Sequence, residues 1–126
     1  MILVYVAVTG DLSNSQQELT DLALGSVGQL ATLLVMACVV APLGEELLFR
    51  GVVFGSLRRY NFVLAVLVSA VVFSLAHGLG AVTLAVFVLA VVNALIYERT
   101  RSIWPCVIAH ATFNAVSLGL AVVVLR

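Results

Sequence analysis

The chain has 126 residues, 63% of them hydrophobic and 10% charged, and its net charge is zero; soluble domains carry about 25% charged residues. With a mean hydropathy of +1.24 it cannot cover itself with polar surface, which excludes a water-soluble globular domain. Six arginines balance six acids with no lysine, so no basic face is offered to nucleic acid.

The chain therefore reads as an integral membrane protein. Helix is the assignment throughout, because an open sheet edge cannot be satisfied in lipid. Met1–Val8 is apolar but lacks the basic start of a signal peptide. It is also too short to span, since a spanning helix needs about 20 residues, and it reads as a short N-terminal remnant of a further span, with upstream spans lacking. Gly10–Leu22 is polar and carries three acids, and Ser15–Leu22 suits the cap of a short interfacial helix. The first main apolar segment, Leu24–Leu57, is too long for one straight span and is interrupted by Pro42, which removes a backbone donor and kinks a helix. Phe62–Leu79, Ala81–Tyr97 and Ile103–Leu125 follow. The expected fold is all-α, a polytopic membrane helical bundle of four main hydrophobic segments, forming one membrane-embedded unit over residues 1–126. Cys38 and Cys106 lie in apolar runs without zinc spacing and read as packing residues.

The connections at 58–61 and 98–102 fall on the same side by parity, and each carries two arginines. The positive-inside bias makes both cytoplasmic in a multi-pass protein of the cell membrane.

Within the spans the strongly polar residues are Glu45, Glu46, Arg50, His77, Asn93, His110 and Asn114. Charged groups at the bilayer centre cost about 2.5–3.5 kcal/mol on insertion scales, so their presence calls for a partner or a function. Measured from the arginine loops at 1.5 Å per residue, Glu45, His77, His110 and Asn114 lie roughly 14–27 Å deep, where three helices could converge on one site. Glu46 and Arg50 are spaced i,i+4 and can neutralise one another, as can Arg50 and Glu45. Glu45 and Glu46 point about 100° apart and need not do the same work. His110 and Asn114 share a helix face. Asn93, Thr83, Ser69, Ser74 and Ser117 read as interhelical hydrogen-bonding residues.

A carboxylate, two imidazoles and an amide in a dry cavity suit hydrolysis. The carboxylate takes a proton from water, an imidazole shares that water, and further donors hold the oxyanion. No H-E-x-x-H zinc motif or G-x-S-x-G elbow is present, and no aspartate lies in a span. Zinc held by Glu45, His77 and His110 is a minority reading. Haem on two histidines would leave both glutamates and Arg50 unexplained.

The motifs then resemble a family. "EELLFRG" at Glu45, Glu46 and Arg50 is similar to E-E-x-x-x-R; "FSLAH" at Phe73 and His77 to F-x-x-x-H; "HATFN" at His110 and Asn114 to H-x-x-x-N. Together, in this order, they resemble the CPBP family of intramembrane proteases, which includes the type II CAAX prenyl endopeptidases and the bacterial Abi proteins linked to bacteriocin processing and immunity. The resemblance covers about residues 30–120. It implies an intramembrane endopeptidase with Glu45 as general base and His77 assisting the water. It makes His110 and Asn114 the oxyanion hole, with Glu46 and Arg50 supporting the carboxylate. No metal and no cofactor are expected, with zinc as the variant. The implied partners are the lipid bilayer and a peptide or protein substrate entering a membrane cavity, with no nucleic acid. The readings weighed against proteolysis are a non-catalytic immunity or partner-binding membrane protein and a small proton-coupled transporter.

Overall fold

The computed structural model describes residues 25–79 and 82–124, and helices are the regular elements among them. The expected span remnant Met1–Val8 and the interfacial cap at Ser15–Leu22 lie outside the described residues.

Among the described residues four helical runs form the bundle. The first, α1, covers Val27–Arg58. Ser26 starts it with a capping box, its side chain accepting from the Gln29 amide while Gln29 returns a bond to the Ser26 amide. The run is 32 residues long, roughly 45–48 Å at helical rise, longer than a bilayer core of about 30 Å.

Pro42 does not end this helix. The expected interruption is absorbed by a wide π-type turn over Met36–Val40, and the α-helix resumes at Ala41–Glu46 with Pro42 in its first turn. The physical reason is local: a proline ring clashes with the carbonyl four residues back and offers no N–H. Opening the preceding turn by one residue relieves both demands without breaking the chain direction. A second wide stretch, Leu47–Phe54, follows the paired glutamates, so Glu45 and Glu46 sit on a short α-helical island between two π segments.

The second helix, α2, is Phe62–Ala76, capped by the Asn61 side chain on the Leu64 amide. At 15 residues it is roughly 22 Å long, shorter than a bilayer core of about 30 Å. His77 is its C-cap, and Gly78 follows at φ 87°, a left-handed position that glycine takes at little cost. Thr83 Oγ1 donates to the Gly78 carbonyl and ties this turn to the next helix. The third helix, α3, is Thr83–Thr100, and the fourth, α4, is Trp104–Val124.

The buried interior lies along α2 and α3. Ala65, Ser69 and Ala70 on α2, with Ala90 and Ala94 on α3, are all essentially inaccessible. Such small residues let membrane helices approach closely, because packing rather than water exclusion holds them together. Phe49 and Phe54 of α1 and Phe73 of α2 fill the space between α1 and this pair. The first half of α1 packs on α4, and its second half packs on α2. Leu34, Leu47, Leu64, Leu84 and Ile108 are among the large apolar side chains that face outward. α1, α3 and α4 are long and apolar enough to cross a membrane, and α2 is a shorter apolar helix. This is a polytopic membrane protein.

At the arginine-rich end, Glu98 on α3 receives a bidentate pair from Arg58, at 2.9 and 2.6 Å, and a third contact from Arg101 at 3.0 Å. These bonds join the last turns of α1 and α3.

Candidate active site

Glu46 and Arg50 face each other across one turn of α1, with Nε and Oε2 2.9 Å apart and both side chains almost wholly buried. Arg50 Nη2 also donates to the Ala90 carbonyl of α3 at 2.9 Å, and its guanidinium lies 5.0 Å from the Phe73 ring centre. The other Glu46 oxygen, Oε1, accepts from Asn93 Nδ2 at 3.0 Å and lies 2.9 Å from His110 Nδ1. Glu46 thus draws α1, α3 and α4 together. Burial of a carboxylate requires such pairing.

Glu45 points elsewhere. Its Oε2 lies 3.4 Å from His77 Nε2 and 3.6 Å from His110 Nε2. One ligating atom from each of Glu45, His77 and His110 falls within 4.8 Å of the others. The Glu45 side chain remains 23% exposed and that of His77 10%, against 2% for His110, so the cluster opens on the Glu45 side.

The far nitrogens fix the ring states. His77 Nδ1 is 2.8 Å from the Phe73 carbonyl, which can only accept, so this nitrogen carries the hydrogen. His110 Nδ1 sits against a carboxylate oxygen and donates in the same way. Both imidazoles therefore turn Nε2 toward Glu45 Oε2, an oxygen that is buried and accepts no hydrogen bond among the described residues. Phe73 forms the wall of this arrangement, its ring 4.4 Å from that of His77 and 5.5 Å, edge-on, from that of His110.

Asn114 is placed differently. Its Nδ2 donates to the Ala37 carbonyl of α1 at 2.7 Å, one turn along α4 from His110. The structure thus gathers Glu45, His77 and His110, supports them with Glu46 and Arg50, and engages Asn114 with the backbone of α1.

The model of the type II CAAX prenyl endopeptidase Rce1-like family matches residues 27–116. The chain belongs to this family. Across 111 residues it is 30% identical to the Bacillus subtilis (strain 168) protein named "Putative membrane peptidase YdiL", covering 87% of this chain and 44% of that one. It is 34% identical over 77 residues to "UPF0177 protein YxdF" of Lactococcus lactis subsp. lactis (strain IL1403), covering 60% of this chain and 42% of the other. The chain spans less than half the length of these relatives. No solved structure matches it.

In this Rce1-like chain the support given by Asn93 and by three backbone carbonyls goes beyond what the motifs indicate. Asn93 was read as interhelical glue, and it is that, but the bonds it makes fix Glu46 and the Cys106 carbonyl, at 3.2 Å. It is a strongly polar residue of the third apolar segment, and that isolation was a usable signal. Cys106 is a packing residue as expected; its thiol meets the Asn93 carbonyl at 3.3 Å, and both cysteines are free. The backbone carbonyls of Phe73, Ala90 and Ala37 had no signal, because every residue has a carbonyl and only the fold selects which are used.

Proposed function

We propose that this chain forms the catalytic core of an intramembrane endopeptidase that hydrolyses peptide bonds with water activated by Glu45 and His77. The observation that carries the reading is the cluster of Glu45 Oε2 with two imidazole Nε2 atoms, each ring held from behind by an acceptor. A lone carboxylate in an apolar bundle would need only a counter-charge. Here the counter-charge goes to its neighbour Glu46, and Glu45 is left partly exposed with basic atoms around it.

A water between Glu45 and His77 gives a proton to Glu45 while its oxygen bonds to the scissile carbonyl carbon. The carbonyl electron pair moves onto oxygen. His110 stabilises that oxyanion through Nε2–H when both of its nitrogens are protonated, with Glu46 behind it. The proton then passes from Glu45 to the leaving nitrogen as the C–N bond breaks, giving an acid and an amine.

The donor set of Glu45, His77 and His110 also fits a catalytic zinc ion, with Phe73 and Glu46 as the outer hydrogen-bond partners that such histidines use. A zinc ion held there would supply a more acidic water. Our reading uses Glu45 and His77 without metal. The substrate class is a peptide segment that reaches Glu45 from its exposed side within the bilayer. The arginine-bearing connections at 58–61 and 98–102 are placed on the cytoplasmic side of the cell membrane.

The test is cleavage of membrane-embedded peptides by the purified protein in vesicles. Glu45→Gln keeps the shape of the side chain and removes the base, so turnover falls about 10²–10⁴-fold with unchanged thermal unfolding. Wild-type turnover in Glu45→Gln would sink the proposal. Loss of activity with chelator and its return with added zinc would move the chemistry to the metal.

A further inference from the structure

The Ala37 carbonyl has lost its ordinary helical partner. The Ala41 N–H that would meet it in an α-helix reaches back to the Met36 carbonyl, five residues away. In that wide register the next N–H belongs to residue 42, which is proline and has none. A carbonyl without a donor is costly where no water reaches. Asn114 Nδ2 takes it, at 2.7 Å, from the facing helix.

This bond sits where the direction of Glu45 is set. The wide turn adds a residue to the helical repeat, which rotates everything after it by about 100° relative to everything before it. Upstream, Met36–Val40 packs on α4, the helix of His110; downstream, Leu47–Phe54 packs on α2, the helix that His77 caps. Closing the wide turn to an ordinary α-turn would swing Glu45 away from one histidine or the other.

We infer that Asn114 is a positioning residue: its amide replaces the N–H that Pro42 lacks, locks the wide turn, and so aims Glu45 at His77 and His110. The activity part of this inference rests on the proposed hydrolysis, and the structural part does not. It also predicts a suppressor. A residue with an N–H at position 42 can meet the Ala37 carbonyl within the chain itself, making the Asn114 amide dispensable.

The experiment compares wild type, Asn114→Ala, Asn114→Asp and each of these combined with Pro42→Ala, in detergent, by thermal unfolding and by kcat and KM for a cleaved peptide. Asn114→Ala is expected to lower Tm and to lower kcat at least tenfold with little change in KM. Asn114→Asp, equal in size but without the amide hydrogens, should match it. Adding Pro42→Ala should restore Tm and return most of kcat. If a single Asn114 variant does not accumulate, accumulation of the double variant is the rescue. A double variant no more stable than its Asn114 parent overturns the inference. So does restored Tm with kcat left at the parent's level, which would make Asn114 a direct contact of the reacting carbonyl. Absence of cleavage by the wild type would count against the proposed function alone, and the Tm comparison would still decide whether Asn114 acts through Ala37.

Discussion

Glu45 and Glu46 are adjacent in the chain, yet Glu46 is buried among Arg50, Asn93 and His110 while Glu45 stays partly exposed beside His77. The divergence follows from helical geometry, since neighbouring side chains point about 100° apart. It gives the two carboxylates separable phenotypes. Arg50→Ala leaves the Glu46 carboxylate buried without its cation, which costs about 3–5 kcal/mol. Accumulation in the membrane and unfolding temperature in detergent should both fall. Asn93→Ala removes one neutral donor and leaves His110 in place, a loss of about 1–3 kcal/mol. Its unfolding temperature should fall less than that of Arg50→Ala, and equal losses would show that the guanidinium contributes no more than a hydrogen bond.

At the scale of the element, the unusual helix is α1, which continues through Pro42 by widening its turn. The sequence announced a disturbance there but not its form, because a proline is equally compatible with a kink, a break or a wide turn. The end of α2 is the second special element. Gly78 adopts φ 87° immediately after His77, and an L side chain in left-handed backbone costs roughly 1–2 kcal/mol. Gly78→Ala should lower the unfolding temperature by a corresponding amount. Because the strain falls next to His77, kcat should drop more than stability alone explains. Unchanged kcat would separate the turn from the site.

For the whole molecule, the arrangement places the arginines of 58–61 and 98–102 at one end, with Glu98 binding Arg58 and Arg101. The turn after α2 is at the other end. With Cys38 and Cys106 replaced by alanine, Tyr60→Cys and Leu79→Cys provide exposed reporters at these ends. If the arginine end is cytoplasmic, an impermeant thiol reagent applied to intact cells should label Leu79→Cys and spare Tyr60→Cys. The opposite pattern would reverse the orientation. Metal is also a question for the assembled site, since its ligands come from three parts of the chain. Metal analysis of the purified protein should find zinc well below one equivalent, and stoichiometric zinc lost in His77→Ala would overturn the metal-free reading.

The sequence by itself determined the membrane-embedded, all-helical class, because hydrocarbon allows few other solutions for a chain this apolar. It also singled out Glu45, His77 and His110, which the structure brings together, since ionisable groups stand out against an apolar background. The i,i+4 pair of Glu46 and Arg50 was legible because helical periodicity alone makes such neighbours meet. What the sequence could not give was anything that depends on how the helices pack. The joint hold of Asn93 and His110 on Glu46, the Ala90 and Phe73 carbonyls as acceptors, and the engagement of Asn114 with Ala37 all join residues far apart in the chain. Tertiary structure decided those, because a hydrogen bond between helices depends on their rotation and depth, and local pattern carries no information about either.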